Sequence, residues 1–351
     1  MARSTPGGRP VTEILSLTAY FAERQRSGDR FLADAMLDLF EREHVAAGMM
    51  LRGIAGFGTT HVVRTDRSLT LSEDPPVTVT AVDLPERIRA LADTVVDLTG
   101  RGLITIERAW LLPGSAPTDL DGSVRLSLYL GRKQPVAGMP GYVAVCDVLH
   151  RHGFVAADVF LGVDGTVAGE RRRARFFSHN TEVPVLITGI GTRGQALDAV
   201  DELTGMLDSP LFSLRPVVVC KIDGRTLASP PDAWPVQKLT VHTSEDTRHH
   251  GRPVHRALIA QLRETDHAGG ATALRGLWGF RGTQRPHGDR FLQLGRRVPV
   301  TTVLVDTAAT MAADYRIVDA VTAEHGVVTC EPVPALIAVN GDRRRGSLTL
   351  D

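Results

Sequence analysis

The chain has 351 residues, of which 43% are hydrophobic and 23% charged, and its 40 basic and 40 acidic side chains give a formal net charge of zero. This composition is typical of a globular protein of two or three domains, and the balanced charge argues against nucleic acid or an anionic membrane as partner. No apolar run approaches the roughly 18 residues of a spanning helix, and the first ten residues lack the apolar core of a signal peptide, so we expect no membrane insertion and a cytoplasmic location.

Three segments of the chain share the same landmarks in the same order. Each opens on a Leu-rich strand, at Leu17, Leu126 and Leu239, so the copies lie 109 and 113 residues apart. Each then runs through an apolar helix to a glycine pair and a Pro-Val strand start. The glycine pairs are Gly53 and Gly56, Gly162 and Gly165, and Gly276 and Gly279, and the strand starts are Pro76, Pro184 and Pro299. Units of about 110 residues can each bury a core, so the sequence predicts three homologous domains.

Turn-rich segments mark the domain boundaries. Pro113–Pro117 with Asp121-Gly122 separates the first two copies, and Ser229–Pro231 with Trp234-Pro235 separates the last two. Proline and glycine are typical of turns and linkers. We place the domains at residues 14–116, 123–226 and 236–340, with an N-terminal tail over 1–13 and a C-terminal tail over 341–351. We expect the Arg343–Arg345 run to be part of a flexible tail.

The first copy shows the order of secondary structure. Hydrophobic periodicity predicts a strand over 15–21, a helix containing Leu32, Met36, Leu39 and Phe40, a second strand ending at Leu51 and a third strand over 77–82. A second helix follows, opened by Asp83 and Pro85, containing Ile88, Leu91, Val95 and Leu98, and closed at Gly100, and the fourth strand covers 103–107. This order is that of an α+β ferredoxin-like unit with both helices on one face of an antiparallel sheet. The bare faces and edges of three such sheets would cover one another. The sequence therefore predicts a monomer that acts as an intramolecular pseudo-trimer.

Copies one and three carry patterns that resemble a known family. In copy one these are Leu51-Arg52-Gly53-Ile54-Ala55-Gly56-Phe57-Gly58, Leu71-Ser72-Glu73-Asp74-Pro75-Pro76-Val77 and Gly102-Leu103-Ile104-Thr105-Ile106-Glu107; copy three repeats the first as Leu274-Arg275-Gly276-Leu277-Trp278-Gly279-Phe280. They are similar to the PII-like family called domain of unknown function 190. The likeness covers nearly the whole chain, by position only in copy two. That family is similar in fold to the PII signalling proteins and the CutA proteins, which are homotrimers.

The resemblance implies a function. It implies ligand clefts between neighbouring units and a mobile loop, between the second and third strands, that reports the ligand to a partner. We therefore expect a regulatory protein that binds a small ligand, with an adenine nucleotide as the candidate, and that acts on a target such as a transporter or an enzyme. A CutA-like protein that binds divalent metal, and a structural scaffold that has lost ligand binding, are the alternatives. No acid-base or nucleophile set repeats between the copies, so we predict no enzyme and no cofactor.

The glycine pairs head the candidate ligand residues. Glycine after a strand lets backbone amides approach an anion, and a neighbouring arginine adds charge-assisted bonds. The residues concerned are Arg52, Gly53, Gly56, Phe57 and Gly58 in copy one, and Arg275, Gly276, Gly279 and Phe280 in copy three. The alternative is a strand end that bends through positive φ. Copy two lacks the Arg-Gly and Gly-Phe pairs and has a basic run, Arg171, Arg172 and Arg173, which is either a phosphate or partner site or a solvated loop.

Two charged positions change sign in copy two. Glu23 and Glu245 correspond to Arg132, and Glu107 and Glu331 correspond to Arg215. If the first and last strands of neighbouring units meet, this exchange gives cross-unit ion pairs and three chemically different clefts. We include the four glutamates among the candidate ligand residues. The alternative is unrelated drift on solvated strand ends.

Cysteine and histidine give no metal signature. Cys146, Cys220 and Cys330 occupy non-equivalent positions, which is expected of buried hydrophobic side chains rather than of a disulfide framework or a metal site. His249 and His250 are adjacent in a loop without a carboxylate or cysteine at a recurrent ligand spacing. We therefore predict no metal site.

Overall fold

The computed structural model describes residues 11–58, 62, 64–65, 74–114, 117, 120, 122–131, 135–167, 170–173, 183–208, 210–265, 267–288 and 297–350. Within these ranges the protein is a strand-rich α+β structure with six helices, and 21 of its strands form one curled sheet that runs through all three repeats. In the same ranges no helix combines the length and the apolar character that a membrane crossing requires.

The elements follow one another in the same order in each repeat. The first repeat contains β1 (Glu13–Ala22), β2 (Arg26–Ser27), β3 (Arg30–Phe31), α1 (Leu32–Arg42), β4 (Ala47–Phe57), β5 (Arg64–Thr65), β6 (Pro76–Asp83), α2 (Pro85–Leu98) and β7 (Arg101–Leu112). The second contains β8 (Ser123–Gly131), β9 (Pro135–Val136), β10 (Met139–Pro140), α3 (Gly141–Arg151), β11 (Ala156–Leu161), β12 (Asp164–Val167), β13 (Glu170–Arg173), β14 (Pro184–Thr192), α4 (Arg193–Thr204), β15 (Leu211–Pro216), β16 (Val218–Ile222) and β17 (Arg225–Thr226). The third contains β18 (Val236–Ser244), β19 (Arg248–His249), β20 (Arg252–Pro253), α5 (Val254–Glu264), β21 (Ala271–Arg275), β22 (Trp278–Arg281), β23 (His287–Gly288), β24 (Pro299–Thr307), α6 (Ala308–Val321), β25 (Val327–Pro332), β26 (Ala335–Asn340) and β27 (Arg343–Ser347).

Four long strands pair in the same antiparallel order in every repeat. The order is β4-β6-β1-β7 in the first, β11-β14-β8-β15 in the second and β21-β24-β18-β25 in the third. The predicted α+β class and the alternation of strands and helices are therefore confirmed.

Each central strand has an apolar face and a polar face, and both are buried. In β1, Leu15 and Leu17 pack in one hydrophobic cluster with helix residues such as Met36. The intervening side chains, Ser16 and Thr18, line a cavity to which all three repeats contribute. Successive strand residues point to opposite faces of the sheet. The apolar residues therefore pack against the helices, and the polar residues face the cavity at the centre of the molecule.

Strand pairing links the repeats into a closed cycle. The far end of β4 pairs with β21 of the third repeat, β22 pairs with β11 of the second, and β12 pairs with β4 of the first. A second set runs the other way: the end of β7 pairs with β15, β16 pairs with β25, and β26 pairs with β7. Each repeat therefore completes its sheet with strands from both neighbours, which leaves fewer strand edges exposed.

Two expectations from the sequence are wrong: the end of the second strand in the first repeat, and the flexible conformation of the Arg343–Arg345 run. The second strand of the first repeat does not end at Leu51 but continues to Phe57, because Gly53 and Gly56 let it pass close to the third repeat. The arginine run of the expected flexible C-terminal tail lies in β27, which pairs with β26. All five residues of β27 are exposed, so hydrophobic periodicity carries no signal there.

Candidate functional site

The glycine pairs lie where strands of neighbouring repeats cross. A Cβ atom on Gly56 would stand 2.6 Å from the Ala271 carbonyl oxygen, and one on Gly279 would stand 2.2 Å from that of Ala157. In copy two, a Cβ atom on Gly165 would stand 2.3 Å from the carbonyl oxygen of Gly48. None of these glycines has a positive φ. Close approach between repeats, rather than a left-handed bend, therefore requires glycine here.

The Pro-Val landmarks are explained by the same crossing. A Cβ atom on Gly53 would lie 2.7 Å from Pro76 Cγ, and one on Gly162 would lie 3.0 Å from Pro184 Cγ. In copy three, the corresponding distance is 3.0 Å, from Gly276 to Pro299 Cβ. The glycines and the prolines are in contact in every repeat, so these landmarks describe one packing unit.

The two phenylalanines of the candidate set are buried in the repeat next to their own. Phe57 of the first repeat belongs to the hydrophobic core of the third, and Phe280 of the third belongs to that of the second. Phe280 is 1% exposed, and its ring meets His150 edge-on with centroids 5.0 Å apart. Both side chains anchor one repeat in another, and their burial leaves no surface for a ligand. Gly58, in contrast, is exposed.

Copies one and three share an ion pair beside the glycines. Arg52 Nη2 lies 2.8 Å from Glu23 Oε2, and Arg275 Nη2 donates to Glu245 Oε1 at the same distance. The side chains of Arg52 and Glu23 are 47% and 28% exposed. Leu161 takes the arginine position in copy two, and Arg132, the counterpart of the glutamates, lies outside the described residues. Glu23 and Glu245 thus each form an ion pair within their own repeat, and their cross-unit pairing with Arg132 stays a prediction.

These ion pairs stand at the base of the connection between the second and third strands. The Glu23 N–H donates to the Pro75 carbonyl at 2.9 Å, and the Glu245 N–H donates to Val298 at 2.9 Å. Asp74 accepts a hydrogen bond from the Arg24 N–H at 2.8 Å and also pairs with Arg64. In copy two, Arg171, Arg172 and Arg173 lie in β13, which pairs with β12; the structure describes their backbone only.

The second charge exchange lies at the centre of the molecule. Glu107 accepts from Arg215 and from Lys238, so one carboxylate of the first repeat binds cations of the other two. Glu331 lies 2.8 Å from Arg125 and 3.4 Å from Lys238. The predicted cross-repeat pairing of Glu107 with Arg215 is therefore present. Glu107 and Glu331 are 2% exposed, so the alternative of solvated strand ends is wrong.

Sequence reasoning missed Arg125 and Lys238. Each directly precedes the Leu landmark of its copy, where the first copy has Ser16. Comparison of this position between the copies would have shown a third change of charge. The five ionic side chains Glu107, Arg125, Arg215, Lys238 and Glu331 are called the central cluster below.

Burial and the neighbouring cations shift the pKa values of Glu107 and Lys238. Burial alone would raise the pKa of Glu107, but Lys238, Arg215 and Arg125 outweigh it and hold that pKa at about 2. Burial, with Arg125 nearby, lowers the pKa of Lys238. Three cations share two carboxylates. The Glu107 carboxylate is therefore strongly stabilised as an anion, whereas the positive charge of the Lys238 ammonium group is only partly compensated.

A second buried network joins the second and third repeats. Asp158, 1% exposed, accepts from Arg281 Nη2 at 2.5 Å and from Thr301 Oγ1 at 3.1 Å, and its other contact is His242 Nδ1 at 2.7 Å. Burial raises the pKa of Asp158, but Arg281 and His242 bring it down to about 2. Asp158 therefore already has its own counter-charge.

Both networks border a cavity of about 110 Å³ that is lined by residues of all three repeats. Its wall combines residues of the central cluster with the hydroxyl groups of Thr18, Ser127 and Thr240, one from each repeat. The described part of the chain contains no group of three or more His, Cys, Asp or Glu side chains that would hold a metal ion. The three cysteines are free and buried, as predicted.

Comparison with known proteins identifies the repeat. The model of the DUF190 family, described as "Uncharacterized ACR", matches residues 14–110, 123–219 and 236–335. Among solved structures, an aspartate kinase from Synechocystis is 12% identical with a TM-score of 0.26, and the match covers 94% of this chain but 46% of the kinase chain. An anthrone oxidase-like protein is 12% identical with a TM-score of 0.17, covering 63% of this chain and 100% of its own. Likenesses this weak carry no argument about fold or function.

Proposed function

Since the chain belongs to the DUF190 family and carries three of its repeats, we propose that it is a PII-like regulatory protein. In this proposal three ferredoxin-like domains form an intramolecular pseudo-trimer that binds a small ligand between repeats and signals it to a target, such as a transporter or an enzyme, in the cytoplasm. The shared strand order and the closed cycle of inter-repeat strand pairs support this architecture.

The observation that carries the ligand proposal is the ion pair repeated in copies one and three. Arg52 with Glu23 and Arg275 with Glu245 stand where the second strand makes its last pair with the third, at the base of the connection between these two strands. A nucleotide phosphate would compete with the glutamate for the arginine, since guanidinium binds both groups through paired hydrogen bonds. The ligand would thereby alter the base of that connection, which is how we propose its presence reaches a partner. Copy two has Leu161 instead, so we propose two ligand sites per chain.

The experiment is isothermal titration of the full chain with ATP, ADP, AMP and cyclic AMP, after a thermal-shift screen of the same nucleotides. We expect saturable binding of one of them at two sites per chain. Arg52→Leu and Arg275→Leu each install the residue of copy two, so each should remove one site. Arg344→Leu is the matched control, because Arg344 also forms a 2.8 Å ion pair, with Asp97, on the surface; it should keep both sites. Three sites, or two sites in both leucine variants, would refute the assignment.

A scaffold function is the second candidate, and the glycine pairs favour it. The space above these glycines is filled by backbone of the neighbouring repeat, and Phe57 and Phe280 are used for packing. On this view the repeats retain assembly residues without a ligand role. The same screen, extended to divalent metals, separates the candidates: no stabilisation by any nucleotide or metal supports the scaffold, and stabilisation by metal alone supports CutA-like binding.

A further inference from the structure

The central cluster contains more positive than negative charge. Arg125, Arg215 and Lys238 oppose only Glu107 and Glu331, which leaves a surplus of one positive charge when all five are ionised. The side chain of Arg125 is 14% exposed and those of the other four are 8% exposed or less. Buried charge that is not fully compensated is strongly unfavourable, so an added anion would stabilise the cluster in its fully ionised form.

The nearby carboxylates in the described part of the chain do not supply such a counter-ion. Glu107 already accepts from Arg215 and Lys238 and lies 3.7 Å from Arg125. Asp158, the other carboxylate at this centre, is already paired with Arg281. The resulting excess of positive charge has the sign that attracts an anion.

Unused hydrogen-bond donors accompany the surplus charge. Among the described residues at this centre, the donors Arg125 Nε, Arg215 Nε and the Thr240 hydroxyl are buried without a hydrogen-bond partner, as are both carboxylate oxygens of Glu331. Thr240 is 2% exposed and lines the cavity beside Lys238. A buried donor without an acceptor is unfavourable, and an oxyanion brings acceptors to several donors at once.

The cavity has room for such a group. Its volume of about 110 Å³ is several times the roughly 10–15 Å³ that one water molecule needs on the same measure. Hydroxyl groups from each repeat, Thr18, Ser127 and Thr240, stand on its wall with the cations. The site thus offers charge, donors and space together.

We infer that the central cavity is a binding site for a small oxyanion, of the phosphate, sulfate or carboxylate class, held by Lys238, Arg125 and the Thr240 hydroxyl. The anion neutralises the surplus charge where the three repeats meet and thereby stabilises their closure. This site is separate from the proposed nucleotide sites at Arg52 and Arg275 and does not depend on them.

Scanning calorimetry of the full chain tests the inference, with inorganic phosphate, sulfate or acetate added at constant ionic strength to a chloride medium. For a bound anion at about 100 times its Kd, we expect Tm to rise by about 4 °C and to saturate. The three anions distinguish the class of oxyanion. The absence of a saturable rise with all three would overturn the inference.

Two variants locate the effect. Lys238→Met removes the surplus charge and should weaken binding of the effective anion about 10- to 100-fold. Lys221→Met is the matched control, since Lys221 is as buried as Lys238, at 4% exposure against 5%, but pairs with Asp319 outside the central cluster. Whatever the Tm of this variant without anion, the anion should raise it by as much as in the native chain. Thr240→Val leaves the charge unchanged and should weaken binding about fivefold or more, so it decides the matter if Lys238→Met does not fold. An unchanged anion effect in Lys238→Met or Thr240→Val would place the anion elsewhere and overturn the site.

Discussion

Removal of Glu107 should destabilise the protein far more than removal of its partner Arg215. Glu107→Gln takes away an acceptor of Arg215 and Lys238 and raises the net charge of the central cluster from one positive charge to two. Arg215→Met lowers the net charge to zero, and Glu107 keeps Lys238 as donor and Arg125 at 3.7 Å. The two substitutions therefore differ in their effect on stability, because cations outnumber carboxylates in the central cluster.

The magnitudes follow from burial. Loss of one partner from a buried ion network costs about 3–5 kcal/mol, and we expect this for Glu107→Gln, while Arg215→Met should cost less than about 2 kcal/mol. With an unfolding entropy of about 2.1 cal/mol/K per residue over 351 residues, the glutamine variant should lose about 4–7 °C in Tm. The strand pairs between repeats favour cooperative unfolding, which this conversion requires.

Urea unfolding followed by circular dichroism, together with scanning calorimetry, measures both variants. Glu202→Gln is the control, because Glu202 forms a 2.6 Å ion pair with Arg151 on the surface; it should lower the urea midpoint much less than Glu107→Gln does. If Arg215→Met lowered stability as much as Glu107→Gln, the surplus of positive charge would not determine the stability of the central cluster. The cluster would then give no reason to bind an anion.

Two further predictions concern strand crossing and acid stability. Gly279→Ala places a Cβ atom 2.2 Å from the Ala157 carbonyl oxygen, so it should lower the free energy of unfolding in urea by about 2 kcal/mol or more. Gly194→Ala is the control, because its Cβ atom would meet nothing within 4 Å; it should be neutral or raise stability by up to about 1 kcal/mol. Equal effects of the two variants would contradict the close strand crossing at Gly279. The pKa of Glu107 is lowered from 4.5 to about 2, so the stability that its ionised form contributes is present above pH 4.5 and lost as pH falls from about 5 to 2. Urea midpoints measured across that window should therefore fall less steeply in Glu107→Gln than in the native chain, and parallel curves would refute this.

Sequence periodicity was sufficient for the order of elements but not for the direction in which their polar faces point. Ser16, Thr18 and Tyr20 alternate with Leu15 and Leu17, a pattern that normally indicates a strand with one solvated face. Here the polar face borders the central cavity. Assembly of the three repeats, which lies outside local periodicity, decides the environment of that face.

The residues of the central site are far apart in the chain. His242 and Asp158 are separated by 84 residues, and Arg281 and Asp158 by 123, so no local motif announces them. The exchange of Glu107 for Arg215 was visible only because the chain contains its own homologues. The same comparison at Ser16, Arg125 and Lys238 would have extended the prediction to the other half of the central cluster.

The pairing of strands between repeats also determines when each repeat can be completed during synthesis of the chain. Strand Arg101–Leu112 leaves the ribosome long before Ala335–Asn340, the partner that completes its edge. Until then the nascent first repeat carries an open strand edge, the kind of surface on which unfinished chains associate with one another. Translation of the third repeat is therefore the event that completes this edge of the first, and the unfinished chain exposes that edge throughout the interval between them.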